Sequence, residues 1–249
     1  MPSSEENLNK TLQGIRELQR KGDRDKARAA LENLQTDDIA RHPAFKSLYG
    51  MLLIETDEKE KGKALIDEAL KRRPQTSAWA SDLGRALFLM GRPDQALEML
   101  EMAVSLPHSD AVTFNRLGAT YTINGNIEGA ERAFREAVLR DPDLATVHSN
   151  LGTIMVQLGK LEEALEHYER ALKLKPDLPQ AASGRSALLV AMERAEEAVI
   201  DLEDKLEEED IEPEDAIRTR RHLARILNAA GRYDAVSYTH LTLPTTPYV

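Results

Sequence analysis

The chain repeats itself every 34 residues. Pro142 and Pro176 stand one period apart, as do Gly118 and Gly152, Gly125 and Gly159, Ala130 and Ala164, and Ala137 and Ala171. Gly84, Gly91, Ala96 and Ala103 hold the same phase one period earlier. Self-similarity at a period of this size marks an array of small supersecondary units, so it governs every later assignment. Each period reads as two helical segments with a glycine-centred turn between them and a proline at the end. Composition agrees: Ala, Leu and Glu are plentiful, and aromatics make up only 4%.

The recurring residues have physical tasks. Gly118 and Ala130 are expected where the two antiparallel helices cross, because small side chains let backbones approach. Gly125 is expected just past the first helix, in the left-handed conformation that costs glycine nothing. Pro142 lacks an amide hydrogen and restricts Asp141, so the second helix should stop there. Leu117, Tyr121, Phe134 and Val138 then form the apolar seam. One such pair cannot bury its hydrophobic face alone; stacked neighbours complete the core.

These residues resemble the tetratricopeptide repeat family. Segment 111–144 carries Phe114, Leu117, Gly118, Tyr121, Ala130, Phe134, Ala137 and Pro142; segment 145–178 carries Leu151, Gly152, Ala164, Tyr168, Ala171 and Pro176, with His148 and Met155 in place of aromatics. Segment 77–110 keeps Leu83, Gly84, Ala96 and Ala103, with Trp79 one place early. The flanks keep less: Gly50, Ala69 and Pro74 in 43–76, Gly22 and Ala27 in 8–41, Ala198 and Leu202 in 179–212. The resemblance implies an all-α, right-handed α-solenoid of antiparallel helix pairs. It predicts a disordered 1–7, six repeats over 8–212, a linker at 213–216 and part of a seventh repeat over 217–235, its first helix near 217–230 and its turn at Gly231.

It also implies protein or peptide binding on a concave face lined by the first helices. Repeat phase brings together Ser81, Asn115 and Ser149; Asp82, Arg116 and Asn150; and Arg85, Ala119 and Thr153. Family members that hold chaperone tails use Lys and Asn at such positions, where this chain has Ser81, Arg85, Arg116, Thr146 and Asn150, so that clamp is not expected. Arg85 and Arg116 could instead grip a carboxylate-bearing peptide with Asn150 beside them, or pair with Asp82 and nearby acids. Ala187, Ala191 and Gly184 suggest a floor of small residues with room for a bulky side chain or a partner helix.

Other classes find little support. The net charge is −10, but residues 201–215 hold ten acids and one lysine, so the rest is near neutral and shows no basic stripe for nucleic acid. That acidic run reads as a solvated helix end leading into a linker. No apolar stretch nears the roughly 18 residues of a membrane span, and no signal peptide is readable at MPSSEENLNK. The absence of cysteine excludes disulfides and thiolate metal sites and fits the cytoplasm. His42, His108, His148, His167, His222 and His240 show no metal-ligand spacing, and His148, at a repeat core position, is expected to be a packed or edge histidine and not a ligand. No phosphate-binding loop or nucleophile motif occurs. No cofactor is expected, and a non-catalytic scaffold is the first functional expectation. The second is a substrate-recruiting module ahead of a sulfotransferase, glycosyltransferase or oxygenase domain.

The end of the chain departs from everything before it. Residues 236–249, VSYTHLTLPTTPYV, hold four threonines and two prolines with no charged side chain. Position 236 should be the small crossing residue of the seventh repeat; instead this stretch begins, and its first ten residues can be encoded by DNA resembling a sequencing adapter. The expectation is a non-native tail on a protein that continues past Ala235. A seventh repeat lacking its second helix would bare Leu223, Ile226 and Leu227 and could self-associate.

Overall fold

The computed structural model describes residues 4–34, 37–56, 58–206 and 213–229. Its described elements are all α-helices: α1 (Ser4–Arg20), α2 (Arg24–Asn33), α3 (Asp37–Arg41), α4 (Pro43–Glu55), α5 (Lys59–Ala69), α6 (Ser77–Leu89), α7 (Pro93–Ser105), α8 (Ala111–Ile123), α9 (Ile127–Arg140), α10 (Ala145–Gln157), α11 (Leu161–Leu174), α12 (Pro179–Ala191), α13 (Ala195–Leu206) and α14 (Pro213–Ala229). From α4 onward the first helices begin at 43, 77, 111, 145, 179 and 213, each one period after the last. The chain divides into two compact units, Met1–Asp141 and Pro142–Val249.

Local chemistry sets the helix ends. Thr76, Asp110 and Asn126 cap α6, α8 and α9, each accepting from the amide three residues on. Pro43, Pro93 and Pro179 stand in the first turn of α4, α7 and α12, where a missing amide hydrogen costs nothing. Gly125 turns left-handed at φ +75°, and the Asn126 amide reaches back 2.9 Å to the Tyr121 carbonyl, closing α8. Gly91 and Gly159 do the same one period away. At the next in-phase position stands Glu193, held at φ +60°. Asp141 and Lys175, the residues before Pro142 and Pro176, share φ −144° and ψ 93°, so both prolines stop their helices alike.

In unit 1 the pairs α4–α5, α6–α7 and α8–α9 each pack along their length, and α4, α6 and α8 stack in order. The crossing is as close as the glycines require. A Cβ at Gly118 would lie 2.7 Å from the Phe134 ring, and one at Gly84 would lie 2.5 Å from Leu100. Ala130 is fully buried beside them. Leu117 and Phe134 are buried at this seam, while Tyr121 and Val138 are half-buried. Burying a side chain of Phe134's size contributes about 1.5–3 kcal/mol.

Several expectations need correction. Residues 4–7, read as disordered, form the start of α1. The segment 8–41 carries an additional short helix, α3, after its pair. Residues 213–216, read as a linker, are the first turn of α14, which spans 213–229 rather than 217–230. Pro213 opens a helix there, as Pro43 and Pro179 do.

In unit 2, α10 pairs with α11, α12 with α13, and α14 packs on α13 and α12. Leu223, Ile226 and Leu227 are therefore buried (1%, 4% and 1% exposed), and the bare apolar side expected for self-association is absent. The floor expected at Gly184 is filled, since a Cβ there would sit 2.5 Å from the Tyr168 ring. The acidic run spans the end of α13 and the start of α14, its middle (207–212) lying outside the described residues. Gly231 and the 236–249 tail also lie outside them.

Candidate functional site

Unit 1 holds a groove of about 970 Å³, walled by α1, α4, α6 and α8. Four of the nine residues assigned to a binding face line it: Ser81, Asp82, Arg85 and Arg116. Asn115 and Ala119, also on α8, are not among its lining residues, and Ser149, Asn150 and Thr153 belong to unit 2.

Asp82 is the centre of the groove floor, its side chain 1% exposed. Arg16 of α1 takes it, with Nε at 2.8 Å and Nη2 at 2.7 Å from Oδ2. Arg116 stands on the other oxygen, its Nη1 3.6 Å from Oδ1. Arg116 and Arg85 thus pair with Asp82 and a nearby acid, the alternative to a free carboxylate grip. Arg85 turns to Glu55 on α4, its Nε 2.8 Å from Oε1.

Arg116 also donates to Ser81, at 2.8 Å to Oγ and 3.2 Å to the carbonyl. Thr113 Oγ1 lies 3.1 Å from Ser81 Oγ and 2.7 Å from Asp110 Oδ1. A carboxylate only accepts, so the Thr113 proton goes to Asp110 and Ser81 supplies the proton between the hydroxyls. The other Asp110 oxygen is held by Arg20 of α1. Burial alone would raise the Asp110 carboxyl; the Thr113 hydroxyl and amide, with Arg20 and Arg116, hold it below the usual carboxylate range. Burial pulls the Arg116 guanidinium below its ordinary value, Asp82 opposes that, and the neighbouring charge of Arg85 adds to it.

Sequence reading found the α6 and α8 side of this groove and missed α1 and the α4 residues Met51 and Glu55. Lys10, Gln13, Arg16 and Arg20 line the groove from α1, and Leu8, Leu12 and Ile15 are buried. That amphipathic spacing was the available signal. What no local pattern contains is the reach of Arg16 across 66 residues to Asp82.

In unit 2, Ser149 is buried and Thr153 exposed, with the Thr153 hydroxyl 3.0 Å from that of Tyr168. His148 is 6% exposed, as a core residue should be. Its Nε2 donates to the Pro142 carbonyl at 3.0 Å, and its Nδ1 faces His167 Nδ1 at 3.2 Å. The ring centroids are 5.5 Å apart, about two ring radii more than the nitrogens, so the rings meet end to end. Their lone-pair axes point at each other, which makes a hydrogen bond and not a metal chelate. Among the described residues no cluster of three metal-ligating side chains occurs, and no helix is long and apolar enough to cross a membrane.

Stacked helical pairs with a polar inner groove define an α-helical repeat scaffold. The chain belongs to the tetratricopeptide repeat family: one model of that family matches residues 109–177 and a second matches 50–111 and 156–216. Among solved structures it is similar to PilW, a widely conserved type IV pilus biogenesis factor, at 16% identity over 88% of this chain and 98% of that one, with a TM-score of 0.66. PilF of Pseudomonas aeruginosa is similar at 21% identity over 83% and 91% of the two chains, with a TM-score of 0.61. MamA is similar at 18% identity over 74% and 96%, with a TM-score of 0.54. Identities this low show a shared fold. No curated protein matches the chain.

Proposed function

We propose that unit 1 is a non-catalytic, cytoplasmic docking module that takes an extended, carboxylate-bearing segment of a protein partner into its inner groove. The observation that carries this is charge. The chain has a net charge of −10, yet the groove is lined by six cations (Lys10, Arg16, Arg20, Arg24, Arg85, Arg116) against four carboxylates (Glu6, Glu55, Asp82, Asp110). Asp82, Asp110 and Glu55 are each held by an arginine of the groove itself. Lys10 and Arg24 are exposed and carry no ion pair among the described residues, and Arg85 uses only its Nε. Free guanidinium and ammonium donors beside neutralised acids attract carboxylate oxygens.

The test is an array of acidic, neutral and basic dodecapeptides probed with the full chain. The acidic set is expected to bind, more weakly as salt rises. A Lys10→Glu/Arg24→Glu variant, which disturbs no ion pair among the described residues, should lose that preference. Equal binding of the three sets, or an unaltered preference in the variant, contradicts the reading. Arg116→Glu is a poor probe, because it would place a second carboxylate beside buried Asp82.

A further inference from the structure

Two polar atoms in the groove wall are sealed from solvent and lack a hydrogen-bond partner among the described residues: Gln19 Nε2 and Ser77 Oγ. Ser77 is 4% exposed, and both residues line the groove. They flank the two ends of one chain of bonds. Arg20, next to Gln19, pairs with Asp110; Asp110 takes the Thr113 hydroxyl, which meets Ser81; and Ser81 lies one turn after Ser77 on α6. Ser77 is also the first residue of α6, behind its cap Thr76, whose side chain serves the Trp79 amide. The amides of Ser77 and Ala78 are left without a helical acceptor, as first-turn amides are. The end of α6 carries partial positive charge, and the Arg24 guanidinium stands at the same groove with no ion pair among the described residues. The acid in that chain of bonds, Asp110, is occupied by Arg20 and Thr113.

The Gln19 amide nitrogen, the Ser77 hydroxyl and the first amides of α6 can all donate, and Arg24 lines the same groove with a positive charge. Resting on the groove reading above, we propose that Gln19, Ser77 and the first turn of α6 form an oxyanion subsite, which takes a carboxylate or phosphoryl group carried on the docked peptide. The hydroxyl and side-chain amide donate to its oxygens, the α6 amides add two further donors, and Arg24 supplies countercharge.

Three blocked tripeptides, acetyl-Ala-X-Ala-amide with X as glutamate, phosphoserine or glutamine, are titrated into the full ¹⁵N-labelled chain. The expected result is saturable shifts of the Ser77 and Ala78 amides and the Gln19 side-chain amide with one or both anionic peptides and none with glutamine. A tighter response to glutamate assigns a carboxylate, and one to phosphoserine a phosphoryl group. Gln19→Leu and Ser77→Ala, checked for folding by circular dichroism, should each weaken that response at least five-fold. Shifts confined to Ser81, Arg85 and Arg116 would overturn the subsite while leaving the groove reading standing. Silence at both sets would overturn both. The same response from the glutamine peptide, or from the Gln19→Leu variant, would also overturn the subsite.

Discussion

Asp82 sits between two guanidiniums, Arg16 from α1 and Arg116 from α8, with almost none of its side chain in water. Removing it strands both, whereas removing Arg16 leaves Arg116 on the carboxylate. Asp82→Ala is therefore expected to cost about 3–5 kcal/mol and Arg16→Ala clearly less, measured by urea unfolding. Equal costs would mean that Arg116 does not share the acid. Asp110 makes a pH statement. Its carboxyl is held below the ordinary range in the folded chain, so its contribution is present above the unfolded value of about 3.9 and is lost as pH falls through the folded value. Asp110→Asn should reduce the stability lost between about pH 6 and about pH 3, by under about 1 kcal/mol because the side chain is partly in solvent. An acid limb as steep as that of the unaltered chain would contradict this. Ser81, Asp82, Arg85 and Arg116 were readable at this scale because repeat phase puts first-helix positions on one wall. Arg16 was not, because its partner is set by how the first helix lies over the third pair, which no nearby residue encodes.

Helix boundaries were the most legible feature, since caps, turn glycines and closing prolines act within a few residues. The exceptions are physical. α3 has no counterpart in the period, so phase could not reveal it. Pro213 reads as a breaker until its phase with Pro43 and Pro179 is noticed; at the first helical position proline starts a helix. Among the described residues, one turn in this phase lacks its glycine. Glu193 adopts φ +60° where Gly91, Gly125 and Gly159 stand in its phase, and a side chain there costs about 1 kcal/mol. Glu193→Gly is expected to raise stability by about that amount despite its greater unfolded-state freedom; a lower urea midpoint would contradict it. Two helix-interior glycines form a matched pair. A Cβ at Gly14 of α1 would meet nothing within 4 Å, so Gly14→Ala should stabilise by about 0.5–1 kcal/mol. Gly118→Ala gains the same propensity but drives a methyl to 2.7 Å from the Phe134 ring, so it should destabilise on balance. Both moving the same way would misplace the helix crossing.

At the scale of the whole chain, a repeat array asks of its sequence only that each pair bury its neighbour's face. That is why PilW, at 16% identity, shares this fold across 88% of the chain. The groove chemistry is free to vary on such a frame, so the fold names a class of function and the charged wall of unit 1 narrows it. The most direct measurement places a photo-reactive benzoylphenylalanine at Gln13 or Val112, which line the groove, or at Leu139, 77% exposed and outside its lining. Irradiation follows with an acidic dodecapeptide from the array. The account predicts crosslinks from Gln13 and Val112, suppressed by excess unlabelled peptide, and none from Leu139. Crosslinking from Leu139 alone, or equally from all three positions, would contradict a ligand held in the inner groove.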